Sequence, residues 1–149
     1  MELPQALRDN YLFRGLSDPH IDAILAMTTI KAFAGGDTLV RQFGQDTDLM
    51  IVLRGKAQIK TFSGDTIAEV GPGSVLGEVS LIDHEPRSAT VVSSGESQVA
   101  IIPSGKLKEM MRHDMGMRCV VMENLAKLIC QRLRSANVQL DGMMAGAIH

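Results

Sequence analysis

The residues that could do the most chemistry lie close together. Positions 71 to 90 read Gly71-Pro72-Gly73-Ser74-Val75-Leu76-Gly77-Glu78-Val79-Ser80-Leu81-Ile82-Asp83-His84-Glu85-Pro86-Arg87-Ser88-Ala89-Thr90. A strand is expected to end at Gly77, where the backbone can turn sharply or come close to a ligand. Glu78 to Ile82 supply about one helical turn, whose first N–H groups have no helical partner and suit an anion. Pro86 stops any helix. Arg87 carries a planar fork that can hold two phosphate oxygens at once. Ser88 adds a hydroxyl donor, and ionised Glu78 can only accept, which suits a sugar hydroxyl. An anion cradle, a bidentate cation and an acceptor together fit a sugar phosphate. The competing reading makes Glu78 and Arg87 a surface ion pair worth about 0 to 1 kcal/mol.

Such a loop needs a rigid support, and the glycines indicate its kind. Nine of them, from Gly35 to Gly95, punctuate positions 30 to 103 with short apolar runs between. That spacing predicts an all-β sandwich or barrel. The expected strands are Ile30–Phe33, Thr38–Gln42, Asp48–Leu53, Ala57–Phe62, Ile67–Val70, Ser88–Ser93 and Gln98–Ile102. Lys56 to Lys60 alternate polar and apolar residues, as in a half-buried strand, whereas Leu49 to Leu53 are all apolar and predict burial on both faces. Ser63-Gly64-Asp65 and Gly71-Pro72-Gly73 read as tight turns.

Helices are expected on both flanks. Ser17-Asp18-Pro19 opens one, with Ile21, Ile24 and Leu25 on its inner face. Ser104 is expected to cap a short helix ending near Met111. A long helix should run from about Met115 to Leu140 with two apolar stripes. Val121, Leu125 and Leu128 form one. Cys119, Met122, Ala126, Ile129, Leu133, Ala136, Leu140 and Met143 form the other, in alternating steps of 3 and 4. One stripe is expected to rest on the β domain and the other on a second copy of the helix, giving a parallel homodimer; the alternative wraps both around one core. Cys119 on the seam is expected to be a small buried hydrophobe.

The Gly77-Glu78-Val79-Ser80-Leu81 segment, then five residues, then Arg87-Ser88-Ala89-Thr90, resembles the phosphate-binding cassette of cyclic nucleotide-binding domains. The resemblance covers about residues 12 to 137. It implies a mainly β fold: an eight-stranded jelly-roll-like β-roll (a double-stranded β-helix) over about 29–103, an N-terminal helix, and C-terminal helices over about 104–140, all in one domain of residues 1–149. It implies that Glu78 binds the ribose 2′-hydroxyl and Arg87 the cyclic phosphate. Gly77, Ser88 and Ala89 would line the pocket, with Leu76, Val79 and Ser80 in the same cassette. The final helix would lid the purine and form the dimer. Candidates there are Arg132, packing against the base, Asn137, pairing with its edge, and Ser135; each could equally be an ordinary exposed helix residue. The implied ligand is cAMP more than cGMP, although Ser88 suits either.

Composition narrows the function further. The chain has 149 residues, 45% apolar and 21% charged, with net charge −2. That balance fits one globular domain and argues against broad nucleic-acid binding, which needs many cations against phosphate. No apolar run reaches the roughly 18 to 20 residues of a membrane span. The N-terminus lacks a signal peptide, which points to the cytoplasm. His20, His84, His113 and His149 lack metal-ligand spacing, and two cysteines cannot build a disulfide scaffold. No nucleophile constellation is legible, so neither catalysis nor a metal or other cofactor is expected. About a dozen residues follow Asn137, too few for a helix-turn-helix, so no DNA contact is expected. The start at Met1 favours a free-standing protein. A non-catalytic sensor acting through helix movement, a dimer or an effector protein is the leading reading, with a ligand-free dimerisation module as the alternative.

Overall fold

The computed structural model describes residues 2–41, 48–61, 63–82 and 89–148. Two antiparallel four-stranded sheets face each other. The first holds β1 (Thr29–Phe33), β8 (Ser97–Ile102), β3 (Leu49–Arg54) and β6 (Val75–Leu76), in that order across the sheet. The second holds β2 (Thr38–Val40), β7 (Thr90–Ser93), β4 (Ala57–Lys60) and β5 (Thr66–Val70). Around them lie α1 (Leu3–Asp9), α2 (Asp18–Met27), α3 (Ser104–Arg112) and α4 (Met115–Ile148). The eight-stranded roll with flanking helices is thus present. Gln42, Phe62 and Ser88, at the ends of three expected strands, lie outside the described residues.

The strand β3 shows why Leu49 to Leu53 do not alternate. Leu49, Ile51 and Leu53 enter a core shared with the helices, while Met50 and Val52 enter a second core between the sheets. Successive side chains of a strand point to opposite faces, so both faces must be apolar. The helix-side core takes Leu7 from α1, Ile21 and Ile24 from α2, Leu107 and Met111 from α3, and Met117, Val121 and Leu125 from α4.

Three crossings between the sheets meet at one end of the roll. The chain passes from β1 to β2 through Gly35 and Gly36, from β3 to β4 through Gly55, and from β7 back to β8 through Gly95. Gly55 has φ +83°, and a Cβ there would stand 2.4 Å from the Glu96 carbonyl oxygen. At the Gly71-Pro72-Gly73 turn the Gly73 N–H donates to Val52 O at 2.8 Å, and Asn10 donates its side-chain amide to Gly73 O at 3.1 Å.

Two helix starts differ in outcome. Ser17 caps α2 as expected, accepting from the His20 N–H at 3.4 Å. Ser104 does not cap α3. Pro103 occupies the cap position, its carbonyl accepting from Leu107 N–H at 3.1 Å, and Ser104 is turned into the core with no partner for its hydroxyl among the described residues. α4 runs to Ile148, past the expected end at Leu140; at 34 residues it is about 51 Å long.

Asp114 caps α4. Its Oδ1 accepts from Met117 N–H at 3.0 Å and its Oδ2 lies 2.6 Å from His20 Nε2. These bonds, the Met117 N–H first, hold the Asp114 carboxyl below the ordinary aspartate range, against an opposing effect of desolvation. A carboxylate depressed in the folded state adds stability above its unfolded pKa of ~4, lost as pH falls through the folded value. Asp114→Asn keeps a capping side chain but loses the charge. Its melting temperature should therefore lie below that of the parent near neutrality, and the gap should begin to close only as pH falls past about 4 toward the depressed folded value in circular-dichroism melts.

Candidate functional site

The cassette begins where β6 ends. Leu76 is buried and pairs across the sheet with Met50. Gly77 then takes a left-handed conformation, φ 80° and ψ 13°, and reverses the chain into a 3₁₀ turn over Glu78–Leu81. Only a residue without Cβ enters that region at no steric cost, which is why the sequence has glycine directly before the glutamate. Leu81 anchors the turn in the helix-side core, and Ser80 is buried. Val79 faces outward at 41% exposure. Of the amides expected to face an anion, two are spent inside the turn: Ser80 N–H donates to Gly77 O at 3.1 Å and Ile82 N–H to Val79 O at 3.0 Å.

Glu78 is not a surface carboxylate. It is 2% exposed, the only buried acidic or basic residue among the described residues. An ionised group so placed needs a partner, because desolvation without one costs several kcal/mol. Among the described residues its partner is Arg132 of α4, whose Nη1 donates to Glu78 Oε1. Arg132 also lies near Tyr11, whose hydroxyl pKa is raised by burial and lowered to a lesser degree by the guanidinium charge.

Helical periodicity explains how Arg132 arrives there. Val121, Leu125, Leu128 and Arg132 follow in steps of 4, 3 and 4, so they share one face. Val121 and Leu125 are buried and Leu128 packs against the core. On the same side, Asn124 donates its amide to the carbonyls of Leu12 at 3.0 Å and Arg14 at 2.9 Å, pinning α4 to the N-terminal segment. Met117 extends the buried face and carried no sequence expectation.

The expected site residues divide clearly. Leu76, Gly77, Glu78, Val79 and Ser80 form one continuous turn. Ala89 is partly buried immediately before β7, in the other sheet. Arg87 and Ser88, like His84, lie outside the described residues. Asn137 and Ser135 are exposed. Five residues beyond Arg132, Asn137 is turned about 140° around the helix from it, so in a straight α4 the two side chains do not face one base. What the sequence could not show is the Glu78–Arg132 pair.

The seam stripe behaves differently from the inner one. Met122 leans on the core, while Cys119, Ala126, Ile129, Leu133, Ala136 and Leu140 are exposed in the single chain. Cys119 is therefore not buried within the monomer; it and Cys130 are free thiols. Among the described residues no helix is long and apolar enough to cross a membrane.

Comparison with known proteins agrees with this geometry. The chain is 29% identical over 139 residues to the cyclic AMP receptor protein of Thermus thermophilus, which covers 91% of this chain and 62% of that protein. It is 28% identical over 99 residues to the cAMP-dependent protein kinase regulatory subunit of Debaryomyces hansenii, covering 66% of this chain and 22% of that one. The chain thus spans less than two thirds of either relative. In fold it is similar to a cyclic nucleotide-binding domain from Methylobacillus flagellatus, with a TM-score of 0.78 at 23% identity, covering 92% of this chain and 79% of that one. Residues 30–114 match the family model described as the cyclic nucleotide-binding domain. That match takes in both sheets, the cassette and α3, and on it the chain belongs to the cyclic nucleotide-binding domain family.

Proposed function

We propose that this chain is a non-catalytic sensor of a cyclic mononucleotide, cAMP in preference to cGMP. The observation that carries the reading is the buried Glu78 carboxylate directly after left-handed Gly77, at the edge of the roll and facing α4. A carboxylate there accepts from a ribose hydroxyl, and Arg87, nine residues on, supplies the fork for the cyclic phosphate. The preference for cAMP draws on the cAMP-linked names of the relatives. Titration calorimetry with cAMP and cGMP tests it. Saturable binding of both, tighter for cAMP, is expected. Absence of heat with either, together with an unshifted melting temperature, overturns the sensor reading.

A second reading has one observation in its favour. Glu78 already has a partner in Arg132, as in a roll that takes no nucleotide. The same titration decides between them.

The output runs through α4. Ile129, Leu133 and Leu140 are 36%, 61% and 54% exposed and lie at steps of 4 and 7 along one seam. A second copy of the helix would cover them, with Ala126 and Ala136 allowing close approach. A homodimer, or an effector protein gripped by the same helix, is the proposed means of signalling. Charging the seam with Ile129→Glu and Leu133→Glu should halve the mass seen by light scattering. A parent protein that is already monomeric, or a double variant that stays dimeric, rejects the helix-paired dimer.

A further inference from the structure

We propose that the notch between the end of the 3₁₀ turn, α3 and the start of α4 is a second binding site, for a small organic anion with an apolar tail, such as an alkyl phosphate. It requires nothing of the nucleotide reading. The three elements enclose a cavity of about 330 Å³, within the ~300 to 1,000 Å³ of small-molecule sites. Gly77 and Glu78, at the other end of the turn, do not line it. Helical spacing gathers the lining. Met111 and Arg112 stand three and four residues beyond Lys108, so the three share one face of α3. Arg118 and Met122, four apart, share a face of α4. Buried Leu81 and Met111 give an apolar floor, and Ile82, 55% exposed, adds an apolar group open to solvent.

The charges around this floor all have one sign. Three cations and no acid line the cavity among the described residues, in a chain of net charge −2. Arg112 pairs with Glu109, a carboxylate that His113 shares. Lys108 and Arg118 have no carboxylate within ion-pair distance among the described residues. Lys108 is partly buried, so its charge is partly withdrawn from water without a compensating partner. Arg118 lies in the first turn of α4, the positive end of the helix dipole, where a cation is disfavoured. Asp114, which caps that end, is spent on the Met117 N–H and His20. Neither an ion pair nor helix stability accounts for these two cations. An anion held between them does, accepting charge-assisted hydrogen bonds while its tail covers Ile82 and Met122.

The probe is hexyl phosphate, titrated into the full chain and followed through carbon-13-labelled methionine methyls, since Met111 and Met122 line the cavity. Saturable shifts of those two signals are expected. Hexanol and inorganic phosphate should each bind at least about tenfold more weakly, one lacking the charge and the other the tail. Lys108→Gln combined with Arg118→Gln should weaken hexyl phosphate about tenfold. Glutamine is a good helix former, so the melting temperature should stay close to that of the parent. Arg87→Ala should leave the probe's affinity unchanged, and ~0.5 M salt should weaken it several-fold. Absence of saturable binding, or shifts that spare Met111 and Met122, overturns the site. So does an affinity indifferent to salt or to the double substitution. Inorganic phosphate bound as tightly marks an adventitious ion only, and hexanol bound as tightly marks an apolar crevice; either overturns the proposal. Loss of the probe in Arg87→Ala assigns it to the nucleotide site and overturns the proposal as well. The cAMP titration is a separate measurement, so the sensor reading stands or falls independently.

Discussion

Arg87→Ala should bind cyclic nucleotide roughly 30-fold to several thousand-fold more weakly than the parent, corresponding to about 2 to 5 kcal/mol for truncating one side of a buried charge pair. Arg87 lies outside the described residues, so the expectation comes from its place in the cassette. A cyclic phosphate carries one negative charge on two free oxygens, which matches the paired N–H groups of a guanidinium. Lysine at this position would restore the charge without the fork, and Arg87→Lys should recover only part of the affinity. Titration calorimetry measures both, with thermal melts showing that the roll is intact. Affinity unchanged in Arg87→Ala would remove the phosphate role and the proposed binding mode with it. Because Glu78 already has a partner without ligand, the loss should appear in binding while the nucleotide-free melting temperature stays close to that of the parent.

Gly55→Ala is the largest expected change in stability. Gly55 has φ +83°, and its added Cβ would lie 2.4 Å from Glu96 O, 2.8 Å from Ser97 Cβ and 2.9 Å from Ser97 Cα. The left-handed conformation alone costs roughly 1 to 2 kcal/mol for a residue with a Cβ. The clash adds to this, because two of the obstructing atoms are backbone and cannot rotate away. They belong to the crossing from β7 to β8, so relief at Gly55 requires moving a second crossing. Ser94 N–H to Lys56 O at 2.9 Å ties the same two segments together, and the Ser93–Ser97 hydroxyl pair at 2.8 Å holds the β7–β8 crossing itself. A loss of at least about 3 kcal/mol is expected, lowering the melting temperature by roughly 10 °C. A loss below about 1 kcal/mol would mean that the two crossings are not rigidly packed.

Much of the roll was legible because its turns depend on glycine and its central strand on uninterrupted apolar residues. Gly64 and Gly73 have positive φ where the sequence marks tight turns, and β3 is buried on both faces as Leu49 to Leu53 imply. The strand read as ending at Gly77 is β6, only two residues long. One helix escaped for a physical reason. α1 has no side-chain cap and is secured by burial of Ala6 and Leu7 against the rest of the chain, which no local pattern encodes. Ser104 misled because serine before a helix usually offers its oxygen to the backbone, whereas packing here draws it inward. At the site, the order Gly77-Glu78 announced a turn with a carboxylate on it. That Arg132 meets this carboxylate from 54 residues away depends on how α4 lies across the roll. Periodicity gives the face of a helix, and tertiary packing decides what that face meets.

The span of α4 turns small displacements into larger ones. Asn124 and Leu125 fasten it to the body, and Arg132 lies about 10 Å further along, whereas Ile148 lies about 35 Å further along. Acting as a straight rod pivoting at that fastening, α4 would carry a 1 Å shift at Arg132 to its far end as about 3 Å. The proportions are those of an oar, with the rowlock at Asn124 and the long arm reaching past Arg132.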